Sequence, residues 1–350
     1  MIHELHIQGF KSLSNADIKL SPMTILSGIN GSGKSSVIQS IRMLIDSKKQ
    51  SSIIKALGGY DEIHSKYSQP GQDINLNVTI KEHIYSLEIN KDGISYNKSP
   101  DVTYEYINAE RFGPQVNLPI NTTDDITIGS RGEYSADYYI SFQSCIVHDS
   151  LKHDATVSLT LEGQLKAWMQ EISPNMNLKF NIDKKHDTSN IEINSHRATN
   201  TGFGISYALP IILSSLVLTS KTARDLESKI LATWYERLSS NSKLILIENP
   251  EAHLHPQGQT MMGVFLTRAA ACGLQVVVET HSDHFIDGVR IAAKEIGFHN
   301  SVNIYHFDKQ QDTESNFENI KVLENGALTS WPKGFFDQSR INLSRINKRK

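Results

Sequence analysis

Cysteine is nearly missing from this chain of 350 residues: Cys145 and Cys272 stand alone, far apart and in no metal-ligand spacing. That scarcity excludes a disulfide-stapled scaffold and fits a reducing compartment. Charge of one sign is missing too, since 35 basic residues face 38 acidic ones for a net of −3. The molecule as a whole is therefore not a polyanion binder by its net field, although a local basic surface stays open. Long hydrophobic runs are absent. The greasiest stretch, Ala208 to Leu218, contains Pro210, Ser214 and Ser215 and is about half of what a bilayer span requires. Met1-Ile2-His3-Glu4 begins a strand pattern, not a basic segment ahead of an apolar core, so a cytoplasmic protein without a membrane partner is expected. No stretch sustains the heptads of a long coiled coil.

Against these absences, Gly28-Ile29-Asn30-Gly31-Ser32-Gly33-Lys34-Ser35 stands out as G-x-x-x-x-G-K-S. Glycine accepts backbone angles that a Cβ forbids, so such a loop can turn several N–H groups onto one phosphate chain. Lys34 would reach the β and γ phosphates, Ser35 would place its hydroxyl on Mg²⁺, and the following helix would point its positive end at the anion. The flanks agree. Met23 to Ser27 is a short apolar strand, and Val37, Ile38, Ile41, Leu44 and Ile45 recur at helical spacing. Asn30, Gly31, Ser32, Gly33, Lys34, Ser35 and Ser36 are the candidate nucleotide contacts, with ATP and Mg²⁺ the expected cofactors.

Two strands, around Ile2 to Ile7 and Ile18 to Leu20, precede the loop, with a turn at Gly9-Phe10-Lys11-Ser12. From about Ile53 to Phe112 the alternation is β-like, through Ile74 to Ile80, Ile84 to Ile89, a turn at Asn90-Lys91-Asp92-Gly93, and Ile94 to Tyr96. This predicts an antiparallel meander closed by Tyr106 to Arg111. From about Tyr134 to Ile172 the pattern is helical, with Leu161, Leu165, Trp168 and Met169 on one stripe; strands return at Leu178 to Ile182 and Ile191 to Ile193.

Three stretches of the second half share a design. Asn200-Thr201-Gly202-Phe203-Gly204-Ile205-Ser206 is a glycine turn into a helix expected to start near Ser206; it reads equally as a helix cap or as a second anion site. Leu244 to Ile247 is a buried parallel-type strand ending in Glu248, followed by Asn249-Pro250-Glu251-Ala252-His253-Leu254-His255-Pro256. An acid at the carboxyl end of such a strand is where a Mg²⁺-organising carboxylate belongs. Val276 to Val278 is another buried strand, ending in Glu279-Thr280-His281-Ser282-Asp283.

Together these residues resemble the ABC-type ATPase superfamily, in the branch that includes the SMC and RecF proteins and the ATPase half of the overcoming-lysogenization-defect nucleases. The opening Gly9-Phe10-Lys11-Ser12, the phosphate loop, the Gly202 turn, Glu248 to Pro256 and Thr280-His281-Ser282 occur in that branch's order. The ending Trp331-Pro332-Lys333-Gly334-Phe335-Phe336-Asp337 looks like the tail of a subgroup associated with antiphage defence. The resemblance implies an α/β fold, an ABC/SMC-type P-loop NTPase head with an antiparallel β subdomain and an inserted helical subdomain. It divides the chain into an N-terminal lobe (1–130), an insertion (131–198), a C-terminal lobe (199–330) and a tail (331–350). It also implies a homodimer or higher even oligomer in which Gly202, Gly204 and Ser206 form a signature loop contacting the nucleotide of the other copy. Glu248 matches the Walker B acid and, with Ser35, the Mg²⁺ ligands. His253 matches the D-loop, His281 the switch histidine, and Gln115 the Q-loop glutamine; Lys11 lies near the nucleotide. At the position of the catalytic glutamate this chain has Asn249, which orients water but accepts no proton. Either hydrolysis is slow and ATP acts as a clamp, or Glu251 supplies the carboxylate.

The implied task is a regulatory ATPase of an antiviral defence complex controlling a separate effector, a nuclease, in trans. The alternative is a RecF-like DNA-repair clamp. Both allow DNA contacts through the basic tail of Arg340, Arg345, Lys348, Arg349 and Lys350. A remoter alternative is a metal-dependent hydrolase built on His253, His255, His281 and His284. A GTPase is disfavoured because Asn97-Lys98-Ser99 continues to Pro100 and not to the aspartate that reads guanine.

Overall fold

The computed structural model describes residues 1–49, 56–183, 185–200, 202–222, 228–332 and 334–347. The beginning of the expected meander near Ile53, together with Thr201, Lys333 and residues 348–350, lies outside these, as does the side chain of Arg340. The chain forms two compact units. The first gathers Ile2–Pro100, Glu279–Asp283 and Ala293–Lys350; the second gathers Met1, Asp101–Val278 and His284–Ala292.

The first unit opens with β1 (Ile2–Phe10), β2 (Leu13–Lys19) and β3 (Met23–Gly28), then α1 (Lys34–Ile45) and a short α2 (Tyr60–Ile63). It continues through β4 (Ile74–Ile80), β5 (His83–Asn90) and β6 (Gly93–Tyr96). The meander is there, as an antiparallel sheet ordered β2-β1-β4-β5-β6. Strict alternation along β4 buries Ile74, Leu76, Val78 and Ile80 on one face, as period-two side chains must. At the β5–β6 turn Asn90 Oδ1 accepts the backbone N–H groups of Asp92 (3.0 Å) and Gly93 (2.9 Å), the local bonding that makes asparagine a turn former. The expected apolar stripe of α1 is buried throughout and packs on β1, β4 and β5.

In the second unit lie β7 (Val102–Ile107), β8 (Leu118–Pro119), α3 (Ser135–Phe142), α4 (Leu161–Ile172), β9 (Leu178–Asp183), β10 (Thr188–Ile193) and β11 (His196–Arg197). Then follow α5 (Phe203–Leu218), α6 (Lys229–Ser240), β12 (Ser242–Glu248), α7 (Pro256–Ala271), β13 (Gln275–Glu279) and α8 (Asp283–Glu295). Here one expectation changes. β7 does not close the antiparallel meander but pairs in parallel with β12, in the order β7-β12-β13. An apolar run flanked by turns reads alike in either sheet, so the pairing partner is not written in it. The helix α5 also starts three residues earlier than Ser206, at Phe203, with Gly202 as its cap. Its interior is buried almost all round, against α4, α7, β7 and β12. The α4 stripe is core: Trp168 meets Phe265 edge-on at 5.0 Å and donates its indole N–H to the carbonyl of Leu151 (3.0 Å).

Helices α7 and α8 approach so closely that glycine is required on both. A Cβ built on Gly263 would fall 2.2 Å from the carbonyl oxygen of Phe285, and one on Gly288 2.0 Å from that of Thr260. On β7, Glu105 is buried and accepts Thr127 Oγ1 at 2.8 Å. Burial pushes its carboxyl up to about 8, against the opposing pull of the bonds from Thr127 and the Ile128 N–H.

The chain returns to the first unit with β14 (Val302–Asp308), β15 (Asn316–Lys321) and α9 (Gln338–Asn347). β14 lies parallel to β3, and β15 antiparallel to β14. A Cβ on Gly28 would sit 2.0 Å from the Phe307 carbonyl oxygen, so only glycine lets the phosphate-loop strand end against β14. Phe335 of the aromatic tail is buried, 5.2 Å from the His306 ring on β14 and 5.5 Å from Trp331. No helix among the described residues is long and apolar enough to cross a membrane.

Two outcomes are expected. Gly288→Ala should destabilise the protein by about 1–3 kcal/mol, the usual cost of overpacking, read as a lower midpoint of urea unfolding. The raised Glu105 pKa means the folded chain keeps a proton that the unfolded chain sheds. Stability from this group is full below its ordinary value of 4.5, falls as pH rises, and levels off above about 8. Glu105→Gln should flatten that part of the stability–pH curve.

Candidate functional site

The phosphate loop is built within the first unit. Gly33 takes a left-handed φ of 100° as the cap of α1, and no side chain caps the helix, so its first N–H groups are left for a ligand. Lys34 folds back across the loop. Its Nζ donates to the carbonyls of Gly28 (3.0 Å) and Ile29 (2.8 Å), and the side chain is 2% exposed. Ser32 Oγ donates to the same Ile29 carbonyl (2.7 Å), while Asn30 and Gly31 are exposed at the tip and Ser36 is buried in the first turn.

Glu279, at the end of β13, joins this group. It accepts Ser35 Oγ at 2.8 Å and stands 3.7 Å from Lys34 Nζ. Burial lowers the Lys34 pKa, and the Glu279 charge and bond oppose that shift. His281 is lowered by partial desolvation and then by the positive charge of Lys34, so its imidazole is held neutral. Lys11, in a left-handed turn with φ 52°, donates to Gln39 Oε1 at 2.7 Å, and burial lowers its pKa. Sequence reasoning names Glu279 as the end of its strand but gives it no role. The signal was available, since the rule that singled out Glu248, an acid at the carboxyl end of a buried parallel strand, applies equally here.

The remaining predicted residues meet in the second unit. Glu248 is held at both oxygens: Tyr106 Oη donates to Oε1 (2.9 Å) and the Ala109 N–H to Oε2 (3.4 Å). Asn249 takes φ 48°. The guanidinium of Arg111, 2% exposed, donates to the Asn249 carbonyl at 3.1 Å and to the Glu248 carbonyl, and lies 5.4 Å from the Tyr207 ring centroid. Burial lowers the Arg111 pKa to about 10, opposed first by the charge of Glu251. His253, at φ 61°, packs its ring 4.5 Å from Tyr207 and 5.2 Å from Phe203. A Cβ on Gly204 would be 2.8 Å from the His253 carbonyl oxygen. The Gly202 turn and the turn after Glu248 are thus one packed body with Arg111 beneath. No sequence pattern marked Arg111.

Gln115 is exposed and shares with Ser206, Ser135 and Leu118 the lining of a cavity of about 20 Å³, room for a single water. His255 is taken up as the cap of α7, its Nδ1 accepting the Gln257 N–H at 3.4 Å. Among the described residues no three or more His, Cys, Asp or Glu side chains converge as a metal site. Arg345 is exposed on α9; the other basic tail side chains lie outside the described residues.

Sequence comparison matches residues 1–111 and 150–286, more than half of the chain, to the AAA ATPase domain (AAA_15). The chain belongs to that family. A second match, to a protein family of unknown function (DUF3696), covers residues 299–346 of this AAA ATPase domain protein, from β14 to α9. No curated protein is significantly similar to it in sequence. Among solved structures, an SMC head bound to the C-terminal winged-helix domain of ScpA is 13% identical, over 92% of this chain and 98% of that one, with a TM-score of 0.52. An SMC head from Thermotoga maritima is 14% identical over 92% and 99%, TM-score 0.45. An SMC head with an extended coiled coil, bound to a ScpA domain from Pyrococcus furiosus, is 12% identical over 99% of each, TM-score 0.48. The chain is an ATPase domain with the P-loop fold of SMC heads.

Arg111→Ala would strip the guanidinium donors from the carbonyls of Glu248 and Asn249, the second of which keeps only the Ala252 N–H, and a loss of about 1–3 kcal/mol in chemical unfolding is expected; Arg111→Lys should restore part of it.

Proposed function

We propose that this protein is an ATP-driven switch in which two copies close over two nucleotides. The observation that carries the reading is the start of α5. Gly202 and Phe203 are exposed, no side chain caps the helix, and its open N–H groups suit an anion offered by another molecule. The Walker loop supplies the other half of such a sandwich. Its left-handed Gly33, buried Lys34 and the Ser35 hydroxyl beside Glu279 fit a triphosphate with Mg²⁺. When bound, the metal would be held through Ser35 and a strand-end carboxylate, Glu248 as the sequence motif has it or Glu279 as the Ser35 contact suggests, and would neutralise charge on the phosphates.

Asn249 can orient water but cannot take its proton. The charge of Glu251 acts on the buried Arg111 guanidinium, which gives that carboxylate a structural task. Both features favour slow hydrolysis and a long-lived closed state. Such a timer suits the regulatory subunit of an antiviral defence complex, holding or releasing a separate nuclease. The SMC head that shares this fold is seen with a ScpA domain bound, which supports a protein partner here. The second reading, a RecF-like clamp on DNA, draws on the same closed dimer. Co-purification of an effector from the native operon supports the first; ATP-dependent DNA binding by the isolated protein supports the second.

Sedimentation with ATP and Mg²⁺ should show a dimer that Lys34→Ala abolishes, and a monomer under every nucleotide condition would sink the proposal. Wild-type turnover should be slow. Asn249→Glu should raise it at least about tenfold while Glu251→Gln changes it little; a collapse in the Glu251 variant would instead make that residue the base.

A further inference from the structure

Ser315, in the loop between β14 and β15, has a buried hydroxyl with no hydrogen-bond partner in the protein, and the residue is 8% exposed. An orphaned buried polar group is costly, so its position matters. It points at the phosphate loop. A Cβ built on Gly33 would lie 3.1 Å from Ser315 Oγ and 3.1 Å from Ser12 Oγ, so two hydroxyls flank the residue that begins α1. The placement is anchored, because the Ser315 N–H donates to the Ser12 carbonyl at 2.9 Å. Neighbouring acids are turned to other partners: Glu314 accepts Ser14 Oγ, and Asp312 pairs with Lys66 at 3.5 Å.

We infer that the Ser315 hydroxyl is a ligand for the phosphate chain of the nucleotide on the Walker loop, donating to a phosphate oxygen alongside the open N–H groups of α1. The inference rests on the nucleotide-binding reading above and goes beyond the Walker motif, because it draws a contact from the C-terminal segment 299–346. The β14–β15 loop thereby senses occupancy. An anion at the start of α1 gives the hydroxyl the acceptor it lacks, and pulls on the loop through the Ser315–Ser12 bond.

The orphaned hydroxyl makes the test sharp. Ser315→Ala removes a group that is unsatisfied in the free protein, so thermal unfolding without nucleotide should be unchanged or slightly raised. Affinity for a fluorescent ATP analogue should fall about tenfold, the loss of one hydrogen bond to a charged acceptor. Ser315→Thr, which keeps the hydroxyl, should retain most of the affinity, and adenosine should compete equally poorly against wild type and Ser315→Ala. If wild type binds the analogue and Lys34→Ala does not, yet Ser315→Ala binds like wild type, the inference fails while the nucleotide site stands. If wild type itself binds no nucleotide, the reading beneath it fails. A Ser315→Ala variant destabilised without nucleotide would show instead a structural role for the hydroxyl and overturn the inference as well.

Discussion

An ammonium group with almost no access to water must be surrounded by acceptors or give up its proton, and the first unit is arranged around meeting that demand at Lys34. The carbonyls of Gly28 and Ile29 accept from it, and the Glu279 carboxylate faces it. Those carbonyls point inward only because the loop leaves β3 at a glycine that lies against β14 and re-enters a helix at a left-handed Gly33. The polarity of the loop follows. With carbonyls committed to the lysine, the N–H groups at the start of α1 are the ones turned outward, which is what an anion requires.

The second unit solves the opposite problem with the same means. There a buried guanidinium takes up the carbonyls of Glu248 and Asn249, so the strand end that carries the acid cannot move without Arg111. Over the Tyr207 ring, Arg111 also touches the helix that begins at the Gly202 turn, and His253 meets that ring edge-on. The acid, the asparagine after it and the exposed glycine turn therefore shift as one piece. In each unit a buried cation donates to two backbone carbonyls, which ties the side chain directly to the shape of a loop.

Much of this was legible in the sequence because it depends on local chemistry. The Walker loop, the α1 stripe, the alternation of β4 and the asparagine turn at Asn90 need only spacing and residue type, and each is found where the pattern puts it. The parallel partner of β7 was not legible, since Val102 to Ile107 carries no mark of which sheet it joins. Glu279 and Arg111 were missed for different reasons. The acid stands at a strand end that the pattern does mark, but the Mg²⁺ role was assigned to Glu248 only, while the arginine matters through contacts with residues about 100 to 140 positions away, which no short window contains. The start of α5 was placed late because Phe203 and Gly204 look like loop until packing against His253 shows otherwise.

The aromatic tail has a practical bearing on how the molecule is handled. Phe335 covers the imidazole of His306, whose Nδ1 lies 3.5 Å from Ser27 Oγ in the strand that feeds the phosphate loop. Shortening the protein at about residue 330, an obvious trim for someone who takes the remainder as a dangling end, would uncover that ring and wet the floor of the loop. An inactive truncation of this kind would report a lost lid on one strand, and would say nothing about what the removed segment touches in other molecules.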